Sequence, residues 1–259
     1  MPKNWRMLLK EMGLGNRQPN DVNKALHATL LRQMQTLRNP ERAAQQQAYM
    51  KSSMPFWGIA MPQLRQLCKA VFRNYPLDNK AQWHKTILHI WDQANHREEK
   101  HAAIELLAVA KYRKAWLEPD SLTLLQHMIQ SGAWWDYVDP LAINNVGFLL
   151  QHWQDKMTPQ MEAWAQHEDL WIRRSAILSQ LKFKGHTDES LLCLAIDHSI
   201  DDKDFFARKA IGWALREYAK TNPGFVVSFV NDRTGALSGL SKREAYKGLL
   251  KQGVVSAIP

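Results

Sequence analysis

Apolar residues recur with the period of an α-helix along nearly the whole chain, and no convincing alternation typical of a β-strand is present. Proline, glycine and asparagine interrupt this pattern at short intervals: 38–41, 60–62, 74–79, 117–120, 157–159 and 221–224. The segments between these breaks are roughly 10 to 18 residues long, the length of ordinary globular helices. We therefore predict an all-α protein of about a dozen helices joined by short turns.

A weak internal repeat favours a solenoid over a globular bundle. The segment LWIRRSAIL begins at Leu170, and the similar segment FFARKAIGW begins 35 residues later at Phe205. Trp135 precedes Trp171 by 36 residues, and KHAAIELL at 100–107 begins about two periods before Arg173. Such a period, with two helices in each repeat, is typical of HEAT-like repeats. We predict that these repeats stack into a curved α-solenoid with one concave face.

The charge balance predicts a polyanionic partner. The chain has 34 Lys and Arg against 25 Asp and Glu, a net charge of +9 and a pI near 9.5. This excess is expected of a protein that binds nucleic acid or an anionic membrane surface. Apolar residues make up 45% of the chain, enough for a buried core. We expect the concave face to be basic, which would suit a rod-shaped polyanion.

The first twenty residues differ from the rest of the chain and match no targeting or membrane signal. Residues 1–20 contain no continuous apolar segment of the kind that a signal peptide needs, and no run approaches a membrane span. We predict that residues 1–20 form an extension, either a short amphipathic helix or a mobile basic tail, and that residues 21–259 form a single domain. Cys68 and Cys193 lie far apart in apolar helical patterns, which favours two reduced thiols in a cytoplasmic protein.

Trp213 departs from the amphipathic pattern of the segment 204–220. The apolar stripe of this helix consists of Ile211, Leu215 and Tyr218. Trp213 points away from that stripe, and its neighbours on the helix surface are Lys209, Arg216 and Lys220. Two interpretations remain open. Trp213 packs against a neighbouring repeat among solvated cations, or it presents an aromatic surface among phosphate-binding groups, as nucleic-acid binders do.

Arg174 departs from the pattern in the opposite sense, because it lies on the apolar side of LWIRRSAILSQL. A guanidinium in such a place needs an anion, since an unpaired buried charge costs several kcal/mol. One candidate is a carboxylate of the protein itself, Asp169 or Asp204. The other is a DNA phosphate, held in planar bidentate geometry.

The segment SGAWWDYVDP, residues 131–140, places two tryptophans beside two aspartates. In a continuous helix, Trp135 and Asp139 are four residues apart and share a face. Pro140 leaves an alternative open, in which a helix starts at Pro140 and Asp139 is its N-cap. The segment would then be a core tryptophan beside a capping aspartate.

Patterns for metals and cofactors are weak. The histidine pairs His84/His89 and His96/His101 are each five residues apart, the wrong spacing for one metal on a helix face. The sequence has no Cys-x-x-Cys motif and no glycine-rich phosphate loop. We therefore predict neither a metal site nor a cofactor.

Several blocks in the same order resemble the DNA alkylation repair family of HEAT-repeat alkylpurine DNA glycosylases, the AlkD type. The resemblance extends from about Ala43 to Lys251 and is densest in WWDYVD, LWIRRSAILSQLKFK, FFARKAIGWALREYAKTNP and LSKREA. It implies an enzyme of base excision repair that cleaves the N-glycosidic bond of N3- or N7-alkylated purines in duplex DNA. It also implies a cytoplasmic monomer that needs no cofactor.

The resemblance assigns roles to individual positions. The family's catalytic aspartate falls on Asp139 and its DNA-contacting arginine on Arg174. The aromatic residues of its cleft fall on Trp135, Trp213 and Tyr49. Further phosphate contacts are expected from basic and hydroxyl side chains: Lys209, Arg216, Lys220, Ser241, Lys242 and Arg243. Ser241 and Glu244 also match a capping box, whereas a proline directly after the aspartate departs from the family pattern.

The residue types suit this chemistry. A purine alkylated at N3 or N7 is a cation that leaves as a neutral base, so a strong leaving-group acid is not required. A carboxylate stabilises the oxocarbenium-like sugar and positions water, while aromatic rings hold the cationic nucleotide. Two alternatives stay open. One is a non-catalytic protein that binds DNA structure on the same scaffold, and the other is a HEAT-type scaffold for protein interactions.

Overall fold

The computed structural model describes residues 21–259, and in this range the chain forms helices and connecting turns with no β-strand. The prediction of an all-α fold is therefore confirmed. The predicted extension, residues 1–20, lies outside the described residues. Contacts divide the chain into two compact units, one ending at Trp116 and the other spanning Leu117–Pro259. One domain over residues 21–259 stays a prediction.

The first unit contains six helices within its described residues: α1 Lys24–Thr36, α2 Pro40–Met50, α3 Met61–Asn74, α4 Lys80–Asp92, α5 Arg97–Leu107 and α6 Ala110–Trp116. Asparagines begin three of them by accepting a hydrogen bond from a backbone N–H of the first turn. These caps are Asn23, Asn39 and Asn79. Helices α1, α3 and α5 pack in sequence, and α4 packs against α1, α5 and α6.

A buried carboxylate fixes the loop before α3. Both oxygens of Glu98, at the start of α5, accept backbone N–H groups, those of Trp57, Gly58 and Ile59, at 2.9–3.0 Å. The neighbouring Glu99 accepts the indole N–H of Trp57 at 2.9 Å. Because these donors have no secondary-structure partner, the two glutamates satisfy groups that would otherwise be buried at a cost.

The second unit begins with a 3₁₀ turn at Pro119–Ser121, and a second 3₁₀ turn lies at Lys184–His186. Its α-helices are α7 Leu122–Gly132, α8 Trp135–Pro140, α9 Gly147–His152, α10 Gln154–Ala165, α11 Leu170–Leu178, α12 Glu189–Asp197, α13 Phe205–Tyr218, α14 Pro223–Asp232 and α15 Gly239–Lys251. A π-helical segment, Leu141–Val146, connects α8 to α9 without a break.

The helices of the second unit stack in the manner of an α-solenoid. Helices α8, α11, α13 and α15 form one layer in which each packs against the next, while α10 and α12 lie behind α11. The 35-residue repeat is visible at the starts of α11 and α13. Asp169 and Asp204, 35 residues apart, cap these two helices, and the rings of Trp171 and Phe206 pack with centroids 5.0 Å apart.

A glycine sets the distance between α13 and α15. A Cβ atom at Gly212 would lie 2.5 Å from the Cβ of Glu244 and 2.8 Å from the carbonyl oxygen of Ser241. No other residue fits here without moving a helix backbone. Gly212 therefore lets the two helices approach closely over their middle turns.

Cys68 and Cys193 are both free thiols, as predicted, and burial raises the pKa of each. No helix within residues 21–259 has the length and apolar character needed to cross a membrane.

Candidate active site

Asp139 lies inside a continuous helix that runs from Trp135 through the π-helical segment to His152. Pro140 has helical dihedral angles, φ −64° and ψ −32°, so the alternative in which a helix starts at Pro140 is wrong. Trp135 and Asp139 are one turn apart on one face, as the helical interpretation predicts. The π-helical segment directly follows Pro140, which supplies no N–H to the preceding turn.

The side chain of Arg174 binds both oxygens of Asp139. Its Nε donates to Oδ1 at 2.8 Å, and its Nη2 donates to Oδ2 at 2.9 Å. Its third nitrogen, Nη1, donates to the carbonyl oxygen of Phe206 at 2.6 Å. Arg174 is 3% exposed, whereas the Asp139 side chain keeps 13% of its surface accessible. One guanidinium thus joins α8, α11 and α13.

This ion pair identifies the carboxylate that binds Arg174 inside the protein. The expected candidates, Asp169 and Asp204, are wrong, because both carboxylates cap helices instead. The interpretation as an ion pair within the protein is confirmed, with Asp139 as the partner. A contact between Arg174 and a DNA phosphate stays a prediction.

The environment of Asp139 acts on its acidity in two directions. Burial raises the pKa of the Asp139 carboxyl above its ordinary value, and the nearby charge of Asp136 acts in the same direction. The hydrogen bonds and positive charge of Arg174 lower that pKa and oppose the rise. Since both carboxylate oxygens accept N–H groups, the observed geometry is that of the ionised acid.

The two adjacent tryptophans have different surroundings. Trp134 packs edge-on against Phe206 at 5.3 Å and lies 6.2 Å from the ring of Trp171. These three rings form an apolar support next to Arg174, whose guanidinium carbon lies 6.0 Å from the Phe206 ring centroid. Trp135 is outside this cluster and remains partly exposed. Trp134 therefore belongs to the apolar cluster next to Arg174, whereas Trp135 is the tryptophan that shares a helix face with Asp139.

Trp213 stands apart from the core stripe of α13, as the helical pattern predicts. Ile211 and Leu215 are fully buried, whereas Trp213 is partly exposed. The prediction was wrong for the third stripe residue, Tyr218, which is also partly exposed because its hydroxyl donates to the Glu189 carboxylate. The cations beside it have carboxylate partners: Lys209 donates to Glu244 at 2.6 Å, and Arg216 donates to the other oxygen of Glu244.

Neighbouring cations stabilise the negative charge of Glu244. Burial by itself would raise the pKa of the Glu244 carboxyl, but Lys209, Arg216 and Lys247 together lower it below its ordinary value. Lys220, at the end of the same cationic stripe, binds both oxygens of Glu217 at 2.7 Å. Phosphate contacts by Lys209, Arg216 and Lys220 stay predictions.

The expected capping box at Ser241 and Glu244 is wrong. Helix α15 starts earlier than the motif suggests, and its N-cap is Ser238, whose hydroxyl oxygen accepts the Ser241 N–H at 3.0 Å. Ser241 is buried, and its own hydroxyl donates to the Arg208 carbonyl oxygen at 2.9 Å. Glu244 instead bridges to α13. A phosphate contact by Ser241 therefore stays a prediction for a hydroxyl that already has an internal acceptor.

The remaining predicted positions differ in exposure. Lys242 is partly buried and donates to the Thr234 carbonyl oxygen at 3.2 Å, whereas Arg243 is exposed. Tyr49, on α2 of the first unit, has 78% of its surface exposed. Its assignment to the cleft stays a prediction. Within residues 21–259, no three His, Cys, Asp or Glu side chains are grouped so as to hold a metal ion.

Sequence reasoning missed one regularity that the structure makes plain. The residues at 139, 174, 209 and 244 are spaced by the 35-residue repeat, and all four are charged. They pair in twos across neighbouring helices, Asp139 with Arg174 and Lys209 with Glu244. Extending the repeat from Asp139 would have named each partner.

Comparisons with known proteins agree with this architecture. A family model described as DNA alkylation repair enzyme matches residues 30–249. The structure is also similar to that of a predicted DNA alkylation repair enzyme from Enterococcus faecalis, with 32% sequence identity over 83% of this chain and 97% of that one, and a TM-score of 0.74. No curated protein matches the chain.

The fold and the match together define a helical repair protein. The chain belongs to the DNA alkylation repair enzyme family. Its role is accordingly that of a DNA repair enzyme directed at alkylation damage.

Proposed function

We propose that this chain is a monofunctional DNA glycosylase that hydrolyses the N-glycosidic bond of N3- or N7-alkylated purines in duplex DNA. The observation that carries the proposal is the Asp139 carboxylate. Arg174 holds it through both oxygens, and part of its surface remains accessible. It shares a helix face with the partly exposed Trp135. The proposal includes a cytoplasmic monomer that acts without a metal or cofactor.

The proposed reaction needs a fixed negative charge more than it needs an acid. The alkylated base already carries a positive charge and departs as a neutral molecule. As the bond breaks, positive charge develops on the sugar, and a carboxylate beside the anomeric carbon stabilises it and orients the attacking water. In this proposal Asp139 supplies that carboxylate.

Arg174 acts on the reaction through Asp139 and is a positioning residue. Its two hydrogen bonds fix the carboxylate plane and favour the ionised form against the effect of burial. The same guanidinium partly neutralises the negative field that the sugar would experience. Arg174 therefore improves the orientation and ionisation of the Asp139 carboxylate but weakens the negative field that this carboxylate exerts on the sugar.

The aromatic residues supply recognition of the positive lesion. Trp135 and Trp213 would contact the cationic nucleotide by cation–π interactions, each worth about 0.5–2 kcal/mol, and Tyr49 is proposed as a third such ring. An acidic and aromatic centre in a chain of net charge +9 favours a locally positive lesion on an otherwise negative duplex.

One observation favours a second candidate function. The Asp139–Arg174 pair also braces three helices, which is what a purely structural ion pair would do. In that case the chain would bind DNA structure without cleaving a bond, and removal of Asp139 would affect stability alone.

Base release from duplex DNA that contains N7-methylguanine distinguishes the two functions. Free base is measured by chromatography for the parent, for Asp139→Asn and for Asp202→Asn. Asp202 pairs with Arg173 at 2.6 Å, so its variant also breaks an aspartate–arginine pair and is a matched control. We expect release by the parent and by Asp202→Asn, and a loss of well over tenfold in Asp139→Asn. Firm duplex binding with no release by the parent would establish the non-catalytic function.

A further inference from the structure

Helix α15 has a row of cations that neither the helical pattern nor the family assignment singles out as a set. Arg243, Lys247 and Lys251 follow one another at four-residue intervals and so lie along one side of the helix. All three are exposed. In the part of the chain that the structure describes, none of the three side chains takes part in a hydrogen bond or an ion pair.

The cations on the neighbouring helix α13 and in the turn that follows it already have carboxylate partners. Lys209 and Arg216 share the carboxylate of Glu244, and Lys220 is bound by Glu217. A phosphate that approached these cations would have to compete with a carboxylate already in place. On α15, the positive charge of Lys247 acts on Glu244 from a distance, but no hydrogen bond or ion pair holds any of the three cations, so a phosphate would displace no direct contact.

The two rows meet in one depression. A groove of about 330 Å³ lies between the C-terminal halves of α13 and α15, and its lining includes Arg216, Lys220, Lys247, Lys251 and Gln252. Four cations and an amide around a single groove suit an anion with several oxygen acceptors. No carboxylate lines the groove, and the carboxylates that bind Arg216 and Lys220 are those of Glu244 and Glu217.

We infer that the row Arg243–Lys247–Lys251, with the groove beside it, is a binding site for the phosphodiester backbone of duplex DNA. The inference rests on the proposed function and deepens it, because it adds Lys247 and Lys251 to Arg243 and favours these three cations over Lys209 and Arg216, which Glu244 binds. From Arg243 to Lys251 the row extends about 12 Å along the helix axis. Along the duplex axis, one strand has a phosphate about every 3.4 Å, so a row parallel to that axis would pass three to four successive phosphates. Glu244 keeps the α13 cations engaged inside the protein.

The salt dependence of binding to undamaged duplex DNA tests this assignment. Each lost phosphate contact lowers the slope of log K against log salt concentration by about 0.9. We expect Lys247→Gln/Lys251→Gln to lower the slope by about 1.8. Lys209→Gln should leave the slope nearly unchanged, because its charge is already paired. Lys156→Gln, an exposed lysine of α10, is the control for net charge alone.

Equal slopes for the parent and the α15 double variant would overturn the inference, as would an equal decrease from Lys209→Gln or Lys156→Gln. Base release from alkylated duplex DNA is measured on the same preparations at low salt, with enzyme in excess. Loss of release by the parent would contradict the proposed function and leave the slope comparison valid. Normal release by the parent with an unaltered slope in the double variant would refute only the α15 site.

Discussion

Asp139 and Arg174 are separated by 35 residues, the length of the internal repeat, and join through two hydrogen bonds of 2.8 and 2.9 Å. The same guanidinium reaches the carbonyl oxygen of Phe206 on the next helix of the layer. The pair therefore acts both on the folding of the second unit and on the acidity of the proposed catalytic carboxylate. These two roles can be separated by experiment.

Replacement of Arg174 by methionine should destabilise the protein strongly. It leaves the mostly buried Asp139 carboxylate without a counter-ion, which typically costs about 3–5 kcal/mol. We expect a corresponding decrease in the free energy of unfolding, measured by urea denaturation. Adding Asp139→Asn should restore part of the loss, since the unpaired charge is then gone. A double variant as unstable as the sum of the single changes would mean that the two side chains are not coupled.

The pH dependence of base release should shift when the guanidinium is replaced by an amine. Arg174 lowers the pKa of Asp139 against the effect of burial, so in Arg174→Lys, which loses the bidentate contact, that pKa should rise further. The reaction needs the carboxylate. A larger fraction is then protonated at any acidic pH, and the acidic limb of the rate profile moves to higher pH.

The neighbouring arginine provides the control for this profile. Arg173 bonds to Asp202 and to the carbonyl oxygens of His167 and Glu168, and Arg173→Lys should leave the limb where it is. The measurement is single-turnover base release against pH, with the spontaneous loss of base subtracted. Superimposable profiles for the parent and Arg174→Lys would show that Asp139 ionisation does not limit the rate.

A methyl group at Gly212 should push α13 and α15 apart. The new Cβ would lie 2.5 Å from the Glu244 Cβ and 2.8 Å from a backbone oxygen that cannot move freely. We expect Gly212→Ala to lower the free energy of unfolding by about 1–3 kcal/mol. A methyl group added at Gly248, inside α15, would have no such neighbour within 4 Å. Gly248→Ala should therefore stabilise by about 0.5–1 kcal/mol, and similar losses from both changes would contradict the packing argument.

The buried carboxylate of Glu98 should be essential to the first unit. Replacing it by glutamine puts an amide N–H₂ against backbone N–H donors of residues 57–59, and unsatisfied buried groups cost about 1–3 kcal/mol each. Glu105 pairs with the exposed Arg65, so Glu105→Gln should change stability by less than about 1 kcal/mol. Urea denaturation of both variants, followed by tryptophan fluorescence, gives the comparison. An unchanged midpoint for Glu98→Gln would rule out this role.

The amino-acid sequence by itself determined the all-α fold, because helices are specified by local patterns. Apolar residues recur at the helical period, and most described breaks contain an asparagine, aspartate or proline that starts the next helix, as Asn39 and Pro40 do for α2. The same local rules placed Trp135 with Asp139 and set Trp213 apart from its core stripe. These relationships need only residues within one or two turns.

Only the tertiary structure decided which charges are free and which are paired. Sequence patterns suggested Asp169 or Asp204 as the ion-pair partner of Arg174. Its actual partner, Asp139, is brought to it by the packing of α8 against α11. Glu244 resembled a capping residue, yet the close approach at Gly212 brings it to Lys209 and Arg216 on another helix. The physical reason is that an ion pair between helices depends on their rotation and separation. A sequence pattern fixes a side chain's place on its own helix and leaves that mutual geometry to the packing of the whole layer.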